Sequence, residues 1–382
     1  MDFELNFEQQ ALKDLAAQFA AKEIAPHADR WSEEEYFPVE VFKAMAPLGL
    51  MGLLVPEEYG GSNAGMVGYV AAMEEIGAAD QSVAAAWNAH TTIGSLPLLA
   101  FGTEEQKQRW LRPLAEGSGI GAFGLTEPNA GSDAAGITTR ARLDGDHWVI
   151  DGTKIFISNA GTPMSAGVIL LAVTGEDDDG TRRYGSIYVP DGTPGYSKGA
   201  PLKKLGWHAM DTRELVFDSV RVPADHLIGD DGHGLRQFLD VLAAGRISIA
   251  ALSLSLASAV LGMACDYANE RQQFGRPIAK FQAVSHKIAD IATEVEAARW
   301  LTYRAASLYD AGRPYAQEAA MAKLFASEVA NRAASNAVQI HGGYGFMRET
   351  PVSRFYADAK VLEIGEGTSE VQRTVIAREL LK

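Results

Sequence analysis

The spacing of apolar residues changes twice along the chain, and this change limits the folds that the sequence can adopt. Over residues 1–118 apolar residues recur every three or four positions, which predicts α-helices with Pro and Gly at the breaks. Over residues 119–230 they form short runs such as HWVID and KIFIS, which predict β-strands. Helical spacing returns over residues 231–382. The sequence therefore predicts an α+β multidomain chain with an N-terminal helical domain, a middle β domain and a C-terminal helical bundle.

Two Asp-Gly pairs and one glycine-rich stretch stand out in the middle region. Asp144-Gly145 and Asp151-Gly152 each follow an apolar run, and Asp-Gly is a strong signal for a tight turn between strands. The letters GIGAFG, residues 119–124, match the GxGxxG pattern of dinucleotide-binding folds. That motif needs a strand before it and a helix after it, whereas here a helical segment precedes it and Pro128 follows. We therefore reject a Rossmann nucleotide site.

Charge and cysteine content exclude several classes of partner and site. The 382 residues carry a formal net charge of −15, which argues against a nucleic-acid partner because phosphate binding needs a basic face. The single cysteine, Cys265, leaves no internal disulfide or Cys-based metal site, and this favours a cytoplasmic location. No histidines have a spacing such as HExxH, so we expect no metal. We also expect no stretch to be long and apolar enough to span a membrane.

Two stretches of the middle region could contact a flat polar ligand. Residues 122–133, AFGLTEPNAGSD, alternate small residues, hydroxyls and backbone N–H groups. In KIFISNAG, Phe156 and Ser158 are expected on the same side of a strand, one aromatic and one hydroxyl. An ordinary turn and a half-buried strand face are the alternative interpretations, and composition alone favours them.

The C-terminal third offers two further candidates. Arg271 has a guanidinium suited to phosphate, and Gln282 follows eleven residues later. Gln339 precedes Gly342 and Gly343, where the backbone could approach a ligand closely. A surface Arg at a helix end and a glycine helix stop explain the same residues equally well.

Glu366 stands between Gly365 and Gly367 just before the predicted last helix. Ser369 and Gln372 fit an S-x-x-Q capping box, so the helix should begin there and leave Glu366 in the preceding loop. The flanking glycines would let the carboxylate approach another molecule closely. Desolvation raises the pKa of a Glu, which suits a general base near neutral pH. The alternative is an acid that only interacts with the helix dipole, which is the default for a lone Glu.

Four stretches in this order resemble the acyl-CoA dehydrogenase family over essentially the whole chain: LTEPNAGSD, ERQQFGRPI, QIHGGYGF and EGTSEVQR. The resemblance implies a helical domain, a β domain and a C-terminal four-helix bundle, with FAD bound without a Rossmann loop. It implies the α,β-dehydrogenation of an acyl-CoA thioester to a trans-2-enoyl-CoA. It also implies an oligomer, usually a homotetramer, and an electron-transferring flavoprotein as the electron acceptor.

The resemblance assigns residues to the cofactor site. One side of the flavin would be lined by Phe123, Leu125, Thr126, Gly131 and Ser132. The other side would be lined by Phe156, where family members often have Trp, and by Ser158. The pyrophosphate and adenosine end would be held from the neighbouring subunit by Arg271, Gln282, Gln339 and Gly343. Thr368 and Glu370 would lie near the nucleotide in the first chain.

The resemblance also assigns residues to the substrate site. Ser132, Arg246 and Gly367 would border the acyl-CoA, with the segment from Ala243 to Arg246 along its tunnel. Glu366 would remove the α-proton while the β-hydride passes to the flavin, and its backbone N–H would polarise the thioester carbonyl. Some family members carry the base on an earlier helix, at the position of Gly245, which cannot act as a base.

The missing side chain at Gly365, where several straight-chain members carry Tyr, leads us to expect a short or branched acyl group such as isobutyryl, 2-methylbutyryl or butyryl. Two alternatives stay open at this point. One is an acyl-CoA oxidase or another oxygen-using flavoenzyme on the same fold. The other is a non-enzymatic helical scaffold whose glycines are turns.

Overall fold

The computed structural model describes residues 4–381, and eight α-helices form the N-terminal part of that range. They are α1 (Phe7–Phe19), α2 (Ala28–Glu34), α3 (Val39–Met45), α4 (Gly65–Ala79), α5 (Gln81–Thr91), α6 (Leu96–Phe101), α7 (Glu104–Gln106) and α8 (Arg112–Ala115). Helix α5 is capped by a side chain: Asp80 accepts the N–H of Val83 at the start of this helix, at 2.8 Å. Every residue of α5 is buried, so this helix lies in the interior of the molecule.

The middle part of the chain forms a single mixed sheet. Its strands are β1 (Ile120–Gly124), β2 (Arg140–Asp144), β3 (His147–Ser158), β4 (Ser165–Glu176), β5 (Arg182–Pro190), β6 (Tyr196–Lys198), β7 (Thr212–Pro223) and β8 (Leu227–Ile228). The strand order is β6-β7-β3-β2-β4-β5-β8, and β1 pairs with β4 in parallel. The GIGAFG letters lie in β1 and the loop after it carries no α-helix, so the Rossmann arrangement is absent from this region.

The two Asp-Gly pairs differ in the structure. Asp144-Gly145 forms the predicted turn, with Gly145 at φ 66° between β2 and β3. The prediction of a turn at Asp151-Gly152 was wrong, because this pair lies inside β3 at a β-bulge. Gly152 is packed so tightly that a Cβ there would lie 2.4 Å from the Thr139 hydroxyl. The strand therefore continues through Gly152, where glycine allows the backbone to pass close to Thr139 and does not form a turn.

Five helices form the C-terminal part of the described chain: α9 (Gly234–Glu270), α10 (Gln282–Asp310), α11 (Ala316–His341), α12 (Pro351–Ala359) and α13 (Ser369–Leu380). A two-stranded ribbon, β9 (Gln272–Gln273) with β10 (Arg276–Pro277), joins α9 to α10. The order of helices, sheet and helices confirms the predicted fold class. The predicted domain boundaries lie between α8 and β1 and between β8 and α9.

Helix α9 is the central element of the molecule. It packs against α4, α10 and α11 and against strand β5 of the sheet. The expectation that no stretch is long and apolar enough to span a membrane was wrong, because α9 contains an 18-residue window of mean hydropathy 2.0. Of that window, 72% is buried inside the protein. The apolar length of α9 is accounted for by its contacts with elements on several sides.

Candidate active site

Glu366 lies in a left-handed turn that leads into α13. Its φ is 51°, and Gly367 follows at φ 96°, both in the region that residues with a side chain rarely adopt. Two donors hold the turn by its carbonyl: Lys323 Nζ lies 2.7 Å and Gln372 Nε2 lies 2.8 Å from the Gly367 oxygen. A strained backbone at Glu366 is therefore maintained by side chains of α11 and α13.

The cap of α13 is one residue earlier than predicted. The helix begins at Ser369 as expected, but its N-cap is Thr368, whose hydroxyl accepts the N–H of Val371 at 3.3 Å. The predicted capping box was wrong because Gln372 donates its amide to the Gly367 oxygen. Glu370 is exposed in the first turn of α13.

The Glu366 carboxylate is buried between the N-terminal and C-terminal helices. Oε1 accepts a hydrogen bond of 3.4 Å from Asn88 Nδ2 on α5. Oε2 is buried and has no hydrogen-bond partner among residues 4–381. It faces Gly245 on α9, where a Cβ would lie only 2.0 Å away. The missing side chain at position 245 makes the room that the carboxylate occupies.

The charges around Glu366 place its titration near neutral pH. Burial raises the pKa of this carboxyl, while Lys323, the Asn88 amide and Arg246 lower it, and the result is a pKa of about 7. Lys323 is fully buried and Arg246 is 9% exposed. Burial lowers the pKa of Lys323 to about 8 against the attraction of Glu366. A buried carboxylate with one free oxygen and a pKa near 7 can accept a proton from a bound molecule.

A buried ion pair shapes the loop after β1. Lys154 Nζ on β3 lies 2.8 Å from Glu127 Oε1 and 3.0 Å from the Leu125 oxygen. Glu127 also accepts the backbone N–H groups of Thr138 and Thr139 at 2.6 and 2.9 Å. Burial alone would raise the pKa of Glu127, but the bonds from Lys154, Thr139 and Thr138 outweigh it and lower the pKa to about 2.

This ion pair brings two of the predicted flavin-contacting stretches together. The Ile155 N–H donates to the Thr126 oxygen at 2.9 Å, so the loop lies against β3. Phe156 follows at a bulge with φ 61° and is 64% exposed, while Ser158 is half-buried. An aromatic ring is thus held on the surface beside the half-buried Thr126.

The other residues that are predicted to line the flavin differ from one another in burial. Phe123 is buried, and its ring stacks on Phe238 of α9 with centroids 4.1 Å apart. Leu125 is half-buried, and Gly131 and Ser132 are exposed. A Cβ at Gly131 would have no atom within 4 Å, so the backbone there is open to a ligand.

A second open site lies at the end of the helical bundle. Arg271 and Gly343 line a groove of about 420 Å³, and the Arg271 guanidinium lies 5.7 Å from the centre of the Tyr344 ring. A Cβ at Gly343 would have no atom within 4 Å. Gln282 at the start of α10 and Gln339 on α11 are exposed but do not line this groove. The structure therefore brings two of the four predicted residues together.

Three family models match nearly the whole chain. They are the acyl-CoA dehydrogenase N-terminal domain over residues 6–118, middle domain over 122–220 and C-terminal domain over 232–381. The chain belongs to the acyl-CoA dehydrogenase family. The predictions of the family, its three-domain fold, an enzyme and FAD as cofactor are thereby confirmed, and a non-enzymatic scaffold is excluded.

Individual relatives of this acyl-CoA dehydrogenase match it end to end. The probable acyl-CoA dehydrogenase YngJ of Bacillus subtilis (strain 168) is 50% identical over 382 residues, which is 100% of both chains. The structure of butyryl-CoA dehydrogenase from Megasphaera elsdenii has a TM-score of 0.97 at 41% identity, with 100% of both chains covered. A chain in the structure of the electron transferring flavoprotein of Acidaminococcus fermentans has a TM-score of 0.96 at 41% identity and the same coverage.

The residues of this acyl-CoA dehydrogenase fit a flavin nucleotide at two places. Phe156 presents an exposed ring beside a loop with open backbone at Gly131. The groove at the bundle end combines the Arg271 guanidinium with the bare backbone of Gly343, which suits a diphosphate. Within residues 4–381 no group of three or more His, Cys, Asp or Glu side chains could hold a metal ion.

The buried polar residues that support the site were not predicted from the sequence. Asn88 and Lys323 contact the Glu366 turn, and Lys154 with Glu127 fixes the loop. Asn88 in AAAWNAHTT and Lys323 in AAMAKLFA each interrupt an apolar helical run. A polar side chain at a buried position needs a partner, so this interruption is the signal that could have identified them.

Proposed function

We propose that Glu366 is the general base in the FAD-dependent α,β-dehydrogenation of an acyl-CoA to a trans-2-enoyl-CoA. The observation that carries this proposal is the buried Glu366 Oε2, which has no partner within residues 4–381 and faces the bare backbone of Gly245. Its pKa of about 7 allows it both to be ionised before the reaction and to accept a proton during it.

Residues of this chain would remove the α-proton, stabilise the enolate and contact the acyl-CoA. The Glu366 carboxylate would take the proton from the α-carbon, and Lys323 and Arg246 would favour its ionised form beforehand. The Glu366 backbone N–H would donate to the thioester carbonyl and stabilise the enolate that develops there. FAD, when bound, supplies the acceptor for the hydride that leaves the β-carbon. Ala243, Gly245, Arg246 and Gly367 would line the acyl-CoA from α9 and the Glu366 turn.

We propose a shared cofactor site in a homotetramer. From one chain, the flavin would be contacted by Phe123, Leu125, Thr126, Gly131, Ser132, Phe156 and Ser158, with Thr368 and Glu370 near the nucleotide. Arg271, Gln282, Gln339 and Gly343 would contact the nucleotide end in a neighbouring subunit. The open groove at Arg271 and Gly343 supports this arrangement because it lies on the surface of the chain.

An electron-transferring flavoprotein is proposed as the electron acceptor, supported by the similarity to a chain in the Acidaminococcus fermentans structure. Oxygen consumption with substrate would instead indicate an acyl-CoA oxidase. We also propose a cytoplasmic location, supported by the single cysteine.

We propose a short or branched acyl group as the substrate. A Cβ at Gly365 would have only the Val361 oxygen near it, at 3.5 Å, so there is space beside the base. Similarity to butyryl-CoA dehydrogenase supports a short acyl chain. The test is anaerobic bleaching of the bound flavin by a series of straight and branched acyl-CoAs. Preference for long straight chains would contradict the proposed substrate.

The Gly365→Tyr variant tests the role of that space. One methyl group in a pocket changes kcat/KM by roughly 10- to 200-fold, so the variant should depress branched substrates relative to straight ones by a factor in that range. Butyryl-CoA and isobutyryl-CoA are the matched pair to compare. An unchanged ratio in a variant that keeps FAD would show that Gly365 does not set specificity.

A further inference from the structure

One buried side-chain amide of the N-terminal domain, that of Asn88, contacts the proposed base. Asn88 is 2% exposed on α5, and its Nδ2 is the hydrogen-bond donor to Glu366 Oε1. Within residues 4–381 the structure shows no other hydrogen bond to this carboxylate. The two flanking cations act at longer range, because Lys323 Nζ donates to the Gly367 oxygen and Arg246 Nε has no partner in that range.

The Asn88 amide is itself oriented by a second buried residue. The Tyr69 hydroxyl on α4 lies 2.7 Å from Asn88 Oδ1. Its ring is fully buried and stacks on Trp87 with centroids 5.1 Å apart, which fixes the position of the hydroxyl. Burial raises the pKa of Tyr69, so the phenol stays protonated and can donate. With Oδ1 engaged by Tyr69, the amide presents Nδ2 to Glu366.

We propose that Asn88, oriented by Tyr69, is a positioning residue that holds Glu366 Oε1 and thereby leaves Oε2 directed toward the α-proton of the substrate. This inference rests on the proposed function of Glu366 as the base. It gives α4 and α5 a part in orienting the base, beyond packing against α9. The charged and titratable groups that face the carboxylate are Lys323 from α11, Arg246 from α9 and Tyr69 from α4.

The test is the Asn88→Leu variant, which keeps the branched shape and the number of side-chain heavy atoms but removes the donor. Loss of a hydrogen bond to the ionised form should raise the apparent pKa of Glu366 by about half a unit to one unit. Flavin reduction by butyryl-CoA requires the ionised base, so its rate well below that pKa should fall by about three- to tenfold. At high pH, where Glu366 is ionised in both proteins, a loss of rate should remain, because Oε2 is no longer held toward the α-carbon.

A second readout follows Glu366 without turnover. The carboxylate absorption of Glu366 is isolated as the infrared difference between the holoenzyme and its Glu366→Gln variant, and is recorded across pH. The same subtraction in the Asn88→Leu background should show a titration shifted upward. An unshifted titration would overturn the positioning role, because it would show that Asn88 Nδ2 does not hold Glu366 Oε1.

Two further variants distinguish the orientation of the Asn88 amide from a general effect on the stability of the protein. Tyr69→Phe keeps the ring and removes only the hydroxyl, so it should raise the pKa in the same direction as Asn88→Leu. Thr92→Val removes a buried hydroxyl that donates to the Asn88 backbone oxygen at 2.7 Å, and it should leave the titration unchanged. A shift in Thr92→Val equal to that in Asn88→Leu would contradict the proposal.

Failure of the proposed function gives a different result. If the pH dependence of flavin reduction persists in Glu366→Gln, another group is the base, whatever Asn88 does. If that dependence disappears in Glu366→Gln but is unmoved by Asn88→Leu, Glu366 is the base and only the role of Asn88 is refuted.

Discussion

The carboxylate of Glu366 can occupy its buried position because Gly245 has no side chain. A Cβ at position 245 would lie 2.0 Å from Glu366 Oε2 and 3.5 Å from Ile93 Cγ2. The acid is also held at φ 51° by the bonds to the next residue, so it cannot withdraw freely. The placement of the proposed base therefore depends on two positions that are 121 residues apart in the sequence.

The Gly245→Ala variant tests this dependence. The added methyl group should displace the carboxylate, and a misplacement of about 1 Å can lower kcat/KM by about 100-fold. FAD content should be unchanged. The matched control is Gly262→Ala on the same helix, where a Cβ would have no atom within 4 Å. That control should keep full activity and gain up to about 1 kcal/mol of stability from helix propensity. Equal activity of the two variants would contradict the account.

For individual residues, the sequence predicts the importance of Glu366 but not the side chains that surround it. Glu366 is recognisable because glycines flank it and a helix follows. Asn88 and Lys323 come from α5 and α11, and their contacts with the turn depend on how the domains pack. The cap at Thr368 was missed because Ser369 also fits a capping pattern and only the structure shows which hydroxyl accepts a backbone N–H.

The loop after β1 owes its shape to an ion pair with β3. Glu127 and Lys154 are 4% and 0% exposed, and their contact is surrounded by protein on all sides. A buried pair adds little net stability, but removal of one partner leaves an unpaired buried charge. The pair therefore acts as a fixed link between the two stretches that are proposed to contact the flavin.

The Glu127→Gln variant should destabilise the protein by about 3–5 kcal/mol, because Lys154 would lose its charged partner. Urea unfolding measures this, and the fraction of FAD retained should fall in parallel. The control is Asp144→Asn, which breaks a solvent-exposed pair with Arg221 and should leave the free energy of unfolding nearly unchanged. Similar losses in both variants would show that burial of the pair is unimportant.

The same pair predicts a pH dependence of stability. The folded-state pKa of Glu127 lies below its usual value of 4.5, so its stabilising contribution is present above pH 4.5 and is lost as pH falls toward 2. The difference in unfolding free energy between the unmodified protein and Glu127→Gln should therefore narrow over that range. A difference that stays constant from pH 5 to pH 3 would contradict the assigned ionisation.

Sequence patterns predicted the order of helices and strands, but they did not predict the bulge within β3 or the burial of α9. Apolar periodicity predicted helices, sheet and helices in the correct order. Asp151-Gly152 has the letters of a turn, yet Asp151 accepts the N–H of Ser219 at 2.7 Å and the strand continues. The apolar length of α9 also could not be interpreted from composition, because burial by neighbouring helices depends on the tertiary fold.

At the scale of the whole molecule, the end of the bundle carries exposed aromatic residues next to the groove that Arg271 and Gly343 line. Phe274 and Phe346 are 92% and 80% exposed, and Tyr344 lines the groove with Arg271. Exposed large apolar side chains at one place are typical of an interface. This surface is where we expect a neighbouring subunit to complete the cofactor site.

Arg271→Ala should weaken FAD retention, because a charge-assisted contact to the pyrophosphate would be lost across the subunit boundary. Gel filtration after dilution, with the ratio of flavin to protein absorbance, measures this release. Arg236→Ala is the control, since it removes another exposed arginine near the opposite end of α9. A monomer of the Arg271→Ala variant that keeps full FAD would show that the shared site is wrong.

The rate of anaerobic flavin reduction by butyryl-CoA in the Glu366→Gln variant tests directly whether Glu366 is the base. The amide keeps the shape of the side chain but cannot accept the α-proton. We predict that the variant is folded, retains FAD and binds acyl-CoA, and that its reduction rate falls by about 100- to 10,000-fold. A near-normal rate in the folded, FAD-loaded variant would contradict the assignment of Glu366 as the base.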